Sequence, residues 1–266
     1  MKILVTAASG NIGRMVVDHL LAAGADDVRV LSNHPERAAF PPGVEVVKGY
    51  LGKVSTLTGA FDGVERMYLA PVLETVEDVV ALARKAGVRH IVDLSGDETT
   101  DWQPIARAVE QSGLEWTHLY AGEFSENAAI WCDPIRASDE VRDPFPEAAN
   151  APIAMADIAR VAAKVLLSEG HAGQTYTLTG PQTLTRAEKI QQIGAALGRN
   201  LSIVKVPRDE AIRILEPAMG EYAEWYVDGI GSMVDHPQQA TTTVADLTGS
   251  ATTFAQWVTA NTDQFR

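Results

Sequence analysis

The sequence predicts an α/β fold, a doubly wound parallel sheet with a small C-terminal α/β lobe. Three observations carry that expectation. Short apolar runs alternate with helix-spaced apolar stripes from Lys2 through Tyr120. A glycine-containing turn, Thr6 to Arg14, joins the first run to the first stripe. After residue 132 the chain changes character, and Pro134, Pro144, Pro146 and Pro152 fall within twenty residues. The expected division is a dinucleotide-type sheet over residues 1–132 and a smaller, intertwined lobe over 133–266.

Lys2 to Thr6 reads as a buried parallel strand ended by Ser9-Gly10. Ile12 to Leu21 has helical spacing through Ile12, Val16 and His19-Leu20. Val28 to Leu31, Val44 to Val47 and Arg66 to Ala70 are the next three strands. Val76 to Ala86 is a helix stopped by Gly87. Arg89 to Leu94 is the fifth strand, Ile105 to Gln111 a helix stopped at Ser112-Gly113, and Leu114 to Tyr120 the sixth strand. Strand–helix alternation implies right-handed crossovers and a parallel sheet. Asp133 to Pro152 reads as loop. Asp157 to Ser168 reads as a helix N-capped by Asp157. Gln174 to Leu178 is a strand. Thr185 to Leu197 is a helix with a Thr185-x-x-Glu188 capping box. Ser202 to Val206 is a strand, and Arg208 to Leu215, Tyr222 to Met233 and Thr253 to Asn261 are helices.

Composition excludes several function classes. The chain has 266 residues, 22 Lys and Arg against 35 Asp and Glu, and a formal net charge of −13. Binding a nucleic acid needs clustered cations, which this acidic chain lacks. The single Cys132 admits neither a disulfide framework nor a Cys-based zinc site. The six histidines show no metal-ligand spacing, so no metal is expected. No apolar stretch approaches the roughly 20 residues that span a bilayer. The expectation is a cytoplasmic protein with no membrane partner, and a homodimer is admitted.

The turn Thr6-Ala7-Ala8-Ser9-Gly10-Asn11-Ile12-Gly13 stands where a dinucleotide site needs it, between a first strand and a first helix. Glycines there let the backbone approach a pyrophosphate, and the helix-start N–H groups attract its charge. Gly10 and Gly13 fill the last two positions of a Gly-x-x-Gly-x-x-Gly motif, and Ala7 fills the first. The second strand is followed by Ser32-Asn33-His34-Pro35-Glu36-Arg37, with no carboxylate at its end to hold ribose hydroxyls. Arg14, Arg37 and His34 can meet a 2′-phosphate instead. NADP(H) is therefore expected ahead of NAD(H), with weak binding or no cofactor left open.

The chain resembles the NmrA-like branch of the atypical short-chain dehydrogenases, which includes NADPH-dependent quinone reductases. The resemblance runs nearly the whole length. It rests on Val5 to Gly13, Ala86 to Ser95, Ser112 to Thr117, Phe124-Ser125-Glu126-Asn127, Asp157 to Ala162 and Tyr176 to Pro181. It implies a Rossmann sheet whose C-terminal strand ends carry the dinucleotide. Carried over, Thr6, Ala8, Ser9, Gly10, Asn11 and Ile12 form the pyrophosphate turn. Asn33, His34 and Arg37 flank the adenosine ribose. Ala70 and Pro71 line the path to the nicotinamide, with Ser95, Tyr120 and Glu123 as the catalytic candidates. The chain departs from the family pattern at Ala7, Asn33, Tyr50, Ala106 and Tyr120-Ala121.

No Lys has a Tyr four residues before it, so the Tyr-x-x-x-Lys dyad of alcohol/ketone catalysis is excluded. Hydride transfer to a quinone-like or enone-bearing acceptor needs mainly orientation and exclusion of water. The expected function is such an NAD(P)H-dependent oxidoreductase acting on a conjugated small molecule. The alternative is a non-redox relative, either a dinucleotide-sensing regulator or a cofactor-independent enzyme of proton transfer or cyclisation. Trp102, Phe124, Glu126, Asn127 and Trp131 are the expected substrate rim. Tyr222, Trp225 and Tyr226 recur at helical spacing and read first as a helix face packed on the core, and otherwise as a C-terminal part of the substrate rim.

Overall fold

Residues 1–37, 39–96 and 102–266 are described by a computed structural model. The first half follows the alternation in the sequence: β1 (Ile3–Val5), α1 (Asn11–Ala22), β2 (Val28–Ser32), β3 (Glu45–Lys48), β4 (Arg66–Leu69), α2 (Val76–Ala86), β5 (His90–Ser95), α3 (Gln103–Gln111) and β6 (Glu115–Ala121). The second half holds α4 (Cys132–Ala137), β7 (Glu140–Asp143), β8 (Ala149–Asn150), α5 (Met155–Leu167), β9 (Gln174–Leu178), β10 (Leu184–Thr185), α6 (Arg186–Leu197), β11 (Ser202–Lys205), α7 (Arg208–Met219), α8 (Tyr222–Asp235), α9 (Thr243–Thr248) and α10 (Phe254–Ala260).

Two compact units result. One comprises Met1–Ala121, Met155–Leu178 and Asp246–Gly249; the other comprises Gly122–Ala154, Thr179–Ala245 and Ser250–Arg266. The first contains a seven-stranded sheet of order β3-β2-β1-β4-β5-β6-β9, every neighbouring pair parallel. The strand order reverses between β1 and β4. Such a switch point opens a crevice at the carboxyl ends of the strands. Leu4, Met67, Leu69 and Ile91 point to one face and pack with Val76, Val79 and Ala83 of α2 and Ile105 and Val109 of α3. The other face is covered by α1 and α5, whose Val16, Val17, Leu20, Ile158, Val161 and Val165 are fully buried.

Arg66 ties α5 to the sheet. It is 1% exposed, and its Nη1 donates to the carbonyls of Leu166 at 2.9 Å and Ser168 at 2.7 Å, with Glu169 on Nη2. A cation thereby satisfies carbonyls that the end of α5 leaves open and meets the negative pole of the helix dipole. Thr6 does comparable work at the ends of β1 and β4. Its hydroxyl donates to Tyr68 O at 3.0 Å and accepts from Ala70 N at 2.9 Å.

The second unit contains two small sheets, parallel β7–β11 and antiparallel β8–β10. Its core includes Trp131, Ile135, Val141, Ile190, Ile193, Phe254, Trp257 and Phe265. The capping box of α6 is formed: Thr185 Oγ1 accepts from Glu188 N at 3.1 Å, and Glu188 Oε2 accepts from Thr185 N at 2.7 Å.

Several expectations are corrected. Residues 133–152 are not loop, for they hold α4, β7 and β8. Pro134 falls in the first turn of α4, where a missing N–H is harmless, and Pro144 and Pro146 lie beyond the end of β7. Asp157 is not an N-cap; it is the third residue of α5, buried and paired with Arg160 at 2.8 Å. Tyr222 and Trp225 do not pack on the core and are 64% and 66% exposed. The short helix α9 is one the sequence does not predict, because Thr-rich flanks give it little helical signal. Among the described residues, no helix is long and apolar enough to cross a membrane.

Candidate functional site

The turn after β1 has two layers. Thr6 and Ala8 are fully buried beneath it, whereas Ala7, Ser9, Gly10 and Asn11 form its exposed lip. Thr6 therefore positions the turn through its two hydrogen bonds rather than presenting its hydroxyl outward. Ala7 has φ 47°, the one non-glycine among the described residues in the left-handed region. That conformation bends the chain, and Gly10 N donates to Ala7 O at 2.9 Å to close the loop.

The two glycines do different work. A Cβ on Gly13 would lie 2.3 Å from Ala7 O and 2.8 Å from Ala7 C, so this glycine is required for helix α1 to sit against the turn. A Cβ on Gly10 would meet only Ala7 O, at 3.2 Å. Gly10 is thus not demanded by packing; its bareness leaves space outside the turn. Gly10 also occupies the N-cap of α1 and has no side chain to cap it, and the first turn of α1 contains no acidic residue. Uncapped N–H groups and an unopposed positive dipole end form an anion site. A pyrophosphate fits here by both space and charge.

The neighbouring strand ends complete the edge. Ala70 and Pro71, half-buried, follow β4, and Ser95 ends β5. At the end of β2, Ser32 is buried, and its Oγ accepts from His34 N at 3.2 Å. Asn33, His34 and Arg37 are exposed, and His34 Nδ1 lies 3.3 Å from Glu36 Oε1. Arg14 is less available: its guanidinium donates to Ala39 O at 2.6 Å and lies 4.9 Å from the centre of the Phe40 ring. Tyr50 is 51% exposed.

Ser95, at the top of β5, donates to Asp93 Oδ1, and Asp93 Oδ2 is 2.7 Å from His118 Nδ1. Burial pushes the Asp93 carboxyl above the usual carboxylate range, with the hydrogen bonds from His118 and Ser95 opposing it. Tyr120 lies two residues beyond His118 and stacks on it at 5.7 Å. Neither Asp93 nor His118 stood out as functional in sequence. The available signal was the i, i+2 spacing of Asp93 and Ser95 on a strand otherwise wholly apolar at its centre.

In the second unit, Glu123 Oε2 accepts from Asn150 Nδ2 and faces Lys189 Nζ at 3.3 Å, while Lys189 also donates to Asn150 Oδ1 at 2.7 Å. Burial lowers the Lys189 ammonium from its ordinary range, and Glu123 opposes that. Sequence reasoning missed both partners of Glu123, which lie 27 and 66 positions away. Glu126 Oε1 accepts from Trp257 Nε1 at 3.0 Å. Trp131 is buried beneath Arg186, whose guanidinium carbon stands 4.8 Å over its ring and whose Nε donates to Asp143 at 2.7 Å. Trp131 is therefore a core residue of this unit rather than an open rim. Phe124 and Asn127 are half-buried, with Phe124 bridging to Ile153; Trp102, in the first unit, is 52% exposed just before α3.

Residues 7–169 match the family model described as NAD(P)H-binding, more than half of the chain. The chain belongs to the NAD(P)H-binding family. It is 36% identical over 223 residues to the (4-alkanoyl-5-oxo-2,5-dihydrofuran-3-yl)methyl phosphate reductase of Streptomyces griseus, covering 79% of this chain and 78% of that one. It is 30% identical to the NAD(P)H azoreductase of Xenophilus azovorans over 99% of both chains. Among solved structures, the NADPH complex of an Escherichia coli NADPH-dependent quinone oxidoreductase shares the fold, with a TM-score of 0.87 at 22% identity over 97% of this chain and 99% of that one. The match begins at Ala7, within the turn whose geometry accepts a pyrophosphate.

Proposed function

We propose that this protein is an NAD(P)H-dependent reductase of a conjugated small molecule, quinone-like or enone-bearing, and that it prefers NADPH. The observation that carries the reading is the bare, uncapped turn at Gly10, set at the strand-order switch between β1 and β4. Relatives named as reductases of a furanone phosphate and of azo compounds support the reaction class, since both names describe reduction of a conjugated acceptor.

When bound, the reduced nicotinamide supplies a hydride. The chain supplies binding and orientation. Ser9, Asn11 and Ile12 bind the pyrophosphate through backbone N–H groups, and Gly10, whose own N–H is held by Ala7 O, leaves the space for it. Asn33, His34 and Arg37 flank the ribose, and the end of β2 carries no carboxylate to hold the ribose hydroxyls, which leaves room for a 2′-phosphate. Ala70 and Pro71 offer the nicotinamide an apolar edge, and Ser95 offers the acceptor a hydroxyl. Trp102, exposed just before α3 in the same unit, contributes to the acceptor site. We place the reaction in the cytoplasm, the compartment that keeps thiols such as Cys132 reduced. A homodimer is compatible with the reading and is measured by sedimentation.

The test is titration with NADPH and NADH, followed by nicotinamide fluorescence, and then NADPH oxidation against a panel of quinones and enones. NADPH is expected to bind more tightly than NADH, and Gly10→Val to abolish binding while the protein stays folded. No response to millimolar NADPH, or full binding by the Gly10→Val variant, overturns the proposal. Binding without oxidation of NADPH by any acceptor moves the reading to a dinucleotide sensor.

A further inference from the structure

Helix α2 has two unlike faces. Val76, Val79, Val80 and Ala83 are buried, whereas Glu77, Asp78, Ala81, Arg84 and Lys85 are exposed. At 3.6 residues per turn, those five exposed residues fall in a stripe about 120° wide with Ala81 on its midline. Glu77 and Arg84 lie along one edge of the stripe, Asp78 and Lys85 along the other. The acids stand one turn before Ala81 and the bases one turn after it. Beside the stripe, between α2 and α3, a groove of about 580 Å³ is lined by Val80, Ala81, Ala108, Gln111 and Ser112 as well as by the charged residues.

A single copy of the chain leaves these charges largely unused. Acids at the start of a helix and bases at its end suit the helix dipole, but the dipole does not require them to share one outward stripe. Four residues beyond Glu77 and Asp78 stand Ala81 and Leu82, so neither acid closes an ion pair within the helix. Arg84 and Lys85 lie about 10 Å further along the axis. Arg84 gives one N–H to Ser112 O at 3.1 Å. Among the described residues, none of Glu77, Asp78, Arg84 and Lys85 has an ion-pair partner.

We infer that α2 is a self-complementary face on which a second copy of this chain docks, the two helices running antiparallel about a two-fold axis at Ala81. Such an axis sets the start of one stripe edge against the end of the same edge on the other copy. Glu77 then meets Arg84 of the partner subunit, and Asp78 meets Lys85 of the partner subunit. Each pair occurs twice, which places four ion pairs around the contact between the two Ala81 methyls. So small a residue on the axis lets the helices approach to about 8 Å. The charge order selects the occupant: acids first and bases last, read backwards from Ala81, is its own complement. Copies with a net charge of −13 repel at long range. A Debye length of about 8 Å at physiological salt screens that repulsion, while charges in contact keep much of their attraction. Exposed ion pairs are individually weak, so the dimer is a loose one, populated at about 100 µM chain. The inference stands independently of the reductase reading.

The test is sedimentation equilibrium of the full chain in about 0.15 M salt, at concentrations up to about 100 µM. The wild type should show a monomer–dimer equilibrium. Asp78→Lys and Lys85→Glu each turn two attractive pairs into repulsive ones, and each should weaken the dimer about tenfold. Both side chains are exposed, so the variants should melt within a few degrees of the wild type. Mixed in equal amounts, the two variants complement each other at both places, and the mixture should regain the association of the wild type. A wild type that stays monomeric overturns the inference. Variants that associate as tightly as the wild type also overturn it, since the contact then lies on another face. A mixture no stronger than its components overturns the antiparallel pairing on which the inference depends.

Discussion

Ala7→Gly should stabilise the protein. Ala7 holds φ at 47°, where the Cβ of an L-residue crowds its own carbonyl. That conformation costs an L-residue about 1–2 kcal/mol relative to glycine. Glycine gives back part of the gain, because its unfolded chain is freer by about 0.4–1 kcal/mol. Ala7 lies on the exposed lip, so deleting its methyl removes little buried surface. The net is a gain of about 0.5–1 kcal/mol. For a chain of this size that corresponds to a rise of about 1–4 °C in Tm. Differential scanning calorimetry and the urea midpoint both read it. Glycine adopts the same left-handed φ without changing the turn, so NADPH affinity should change by less than about threefold, under 0.7 kcal/mol. An unchanged or lowered Tm refutes the reasoning, since the methyl would then be contributing packing rather than strain.

Gly13→Ala should cost about 3 kcal/mol, at the upper end of overpacking effects, because its Cβ would meet backbone atoms at 2.3 and 2.8 Å. Gly10→Ala should cost no more than about 1 kcal/mol, the loss of a favourable N-cap residue; equal urea midpoints for the two variants contradict the two-layer turn. Arg66→Met should lower stability by about 2–4 kcal/mol, since the carbonyls of Leu166 and Ser168 lose their donor; hydrogen exchange at the end of α5 checks it directly. Burial pushes His90 down to about 4 from 6.5, with Arg66 and Arg89 adding to the shift. The unfolded chain then binds a proton between pH 6.5 and 4 that the native state refuses. Stability contributed by neutral His90 is complete above that window and falls as pH drops through it, at up to about 1.4 kcal/mol per pH unit. His90→Gln, whose amide can replace the 2.8 Å contact to Thr117, should flatten the acid limb of the urea-midpoint profile. An acid limb as steep as the wild type's argues against a buried neutral imidazole.

The sheet was legible because parallel strands buried on both faces are rich in apolar residues, as Ile3–Val5, Val28–Ser32 and Arg66–Leu69 are despite Arg29, Ser32 and Arg66 within them. The pyrophosphate turn was legible for a similar reason: its residues are contiguous. The proline-bearing segment was not. Pro134 and Pro144 look like breakers until the first turn of α4 and the end of β7 are located, and β7 is fixed by its partner β11, sixty residues away. The Glu123, Asn150 and Lys189 network is closed by tertiary contacts that no local window contains. Trp131 shows the limit plainly. An aromatic near a polar segment suits a substrate rim or a core, and only the Arg186 guanidinium above it decides.

The first unit is discontinuous in the chain, and that bears on how it is made. Residues 1–121 emerge from the ribosome before α5 and β9 exist. Until Met155–Leu167 follows, Val16, Val17 and Leu20 of α1 have no helix to cover them. Until Gln174–Leu178 follows, β6, paired with β5 on one side, is an edge strand whose other side displays open N–H and C=O groups. A nascent sheet in that condition invites pairing with neighbouring chains. Thirty-three residues of the other unit, Gly122–Ala154, must be synthesised during this interval. Slow translation between Ala121 and Leu178 should therefore lower the soluble yield more than slow translation elsewhere, a sensitivity that belongs to the order of synthesis and not to the finished molecule.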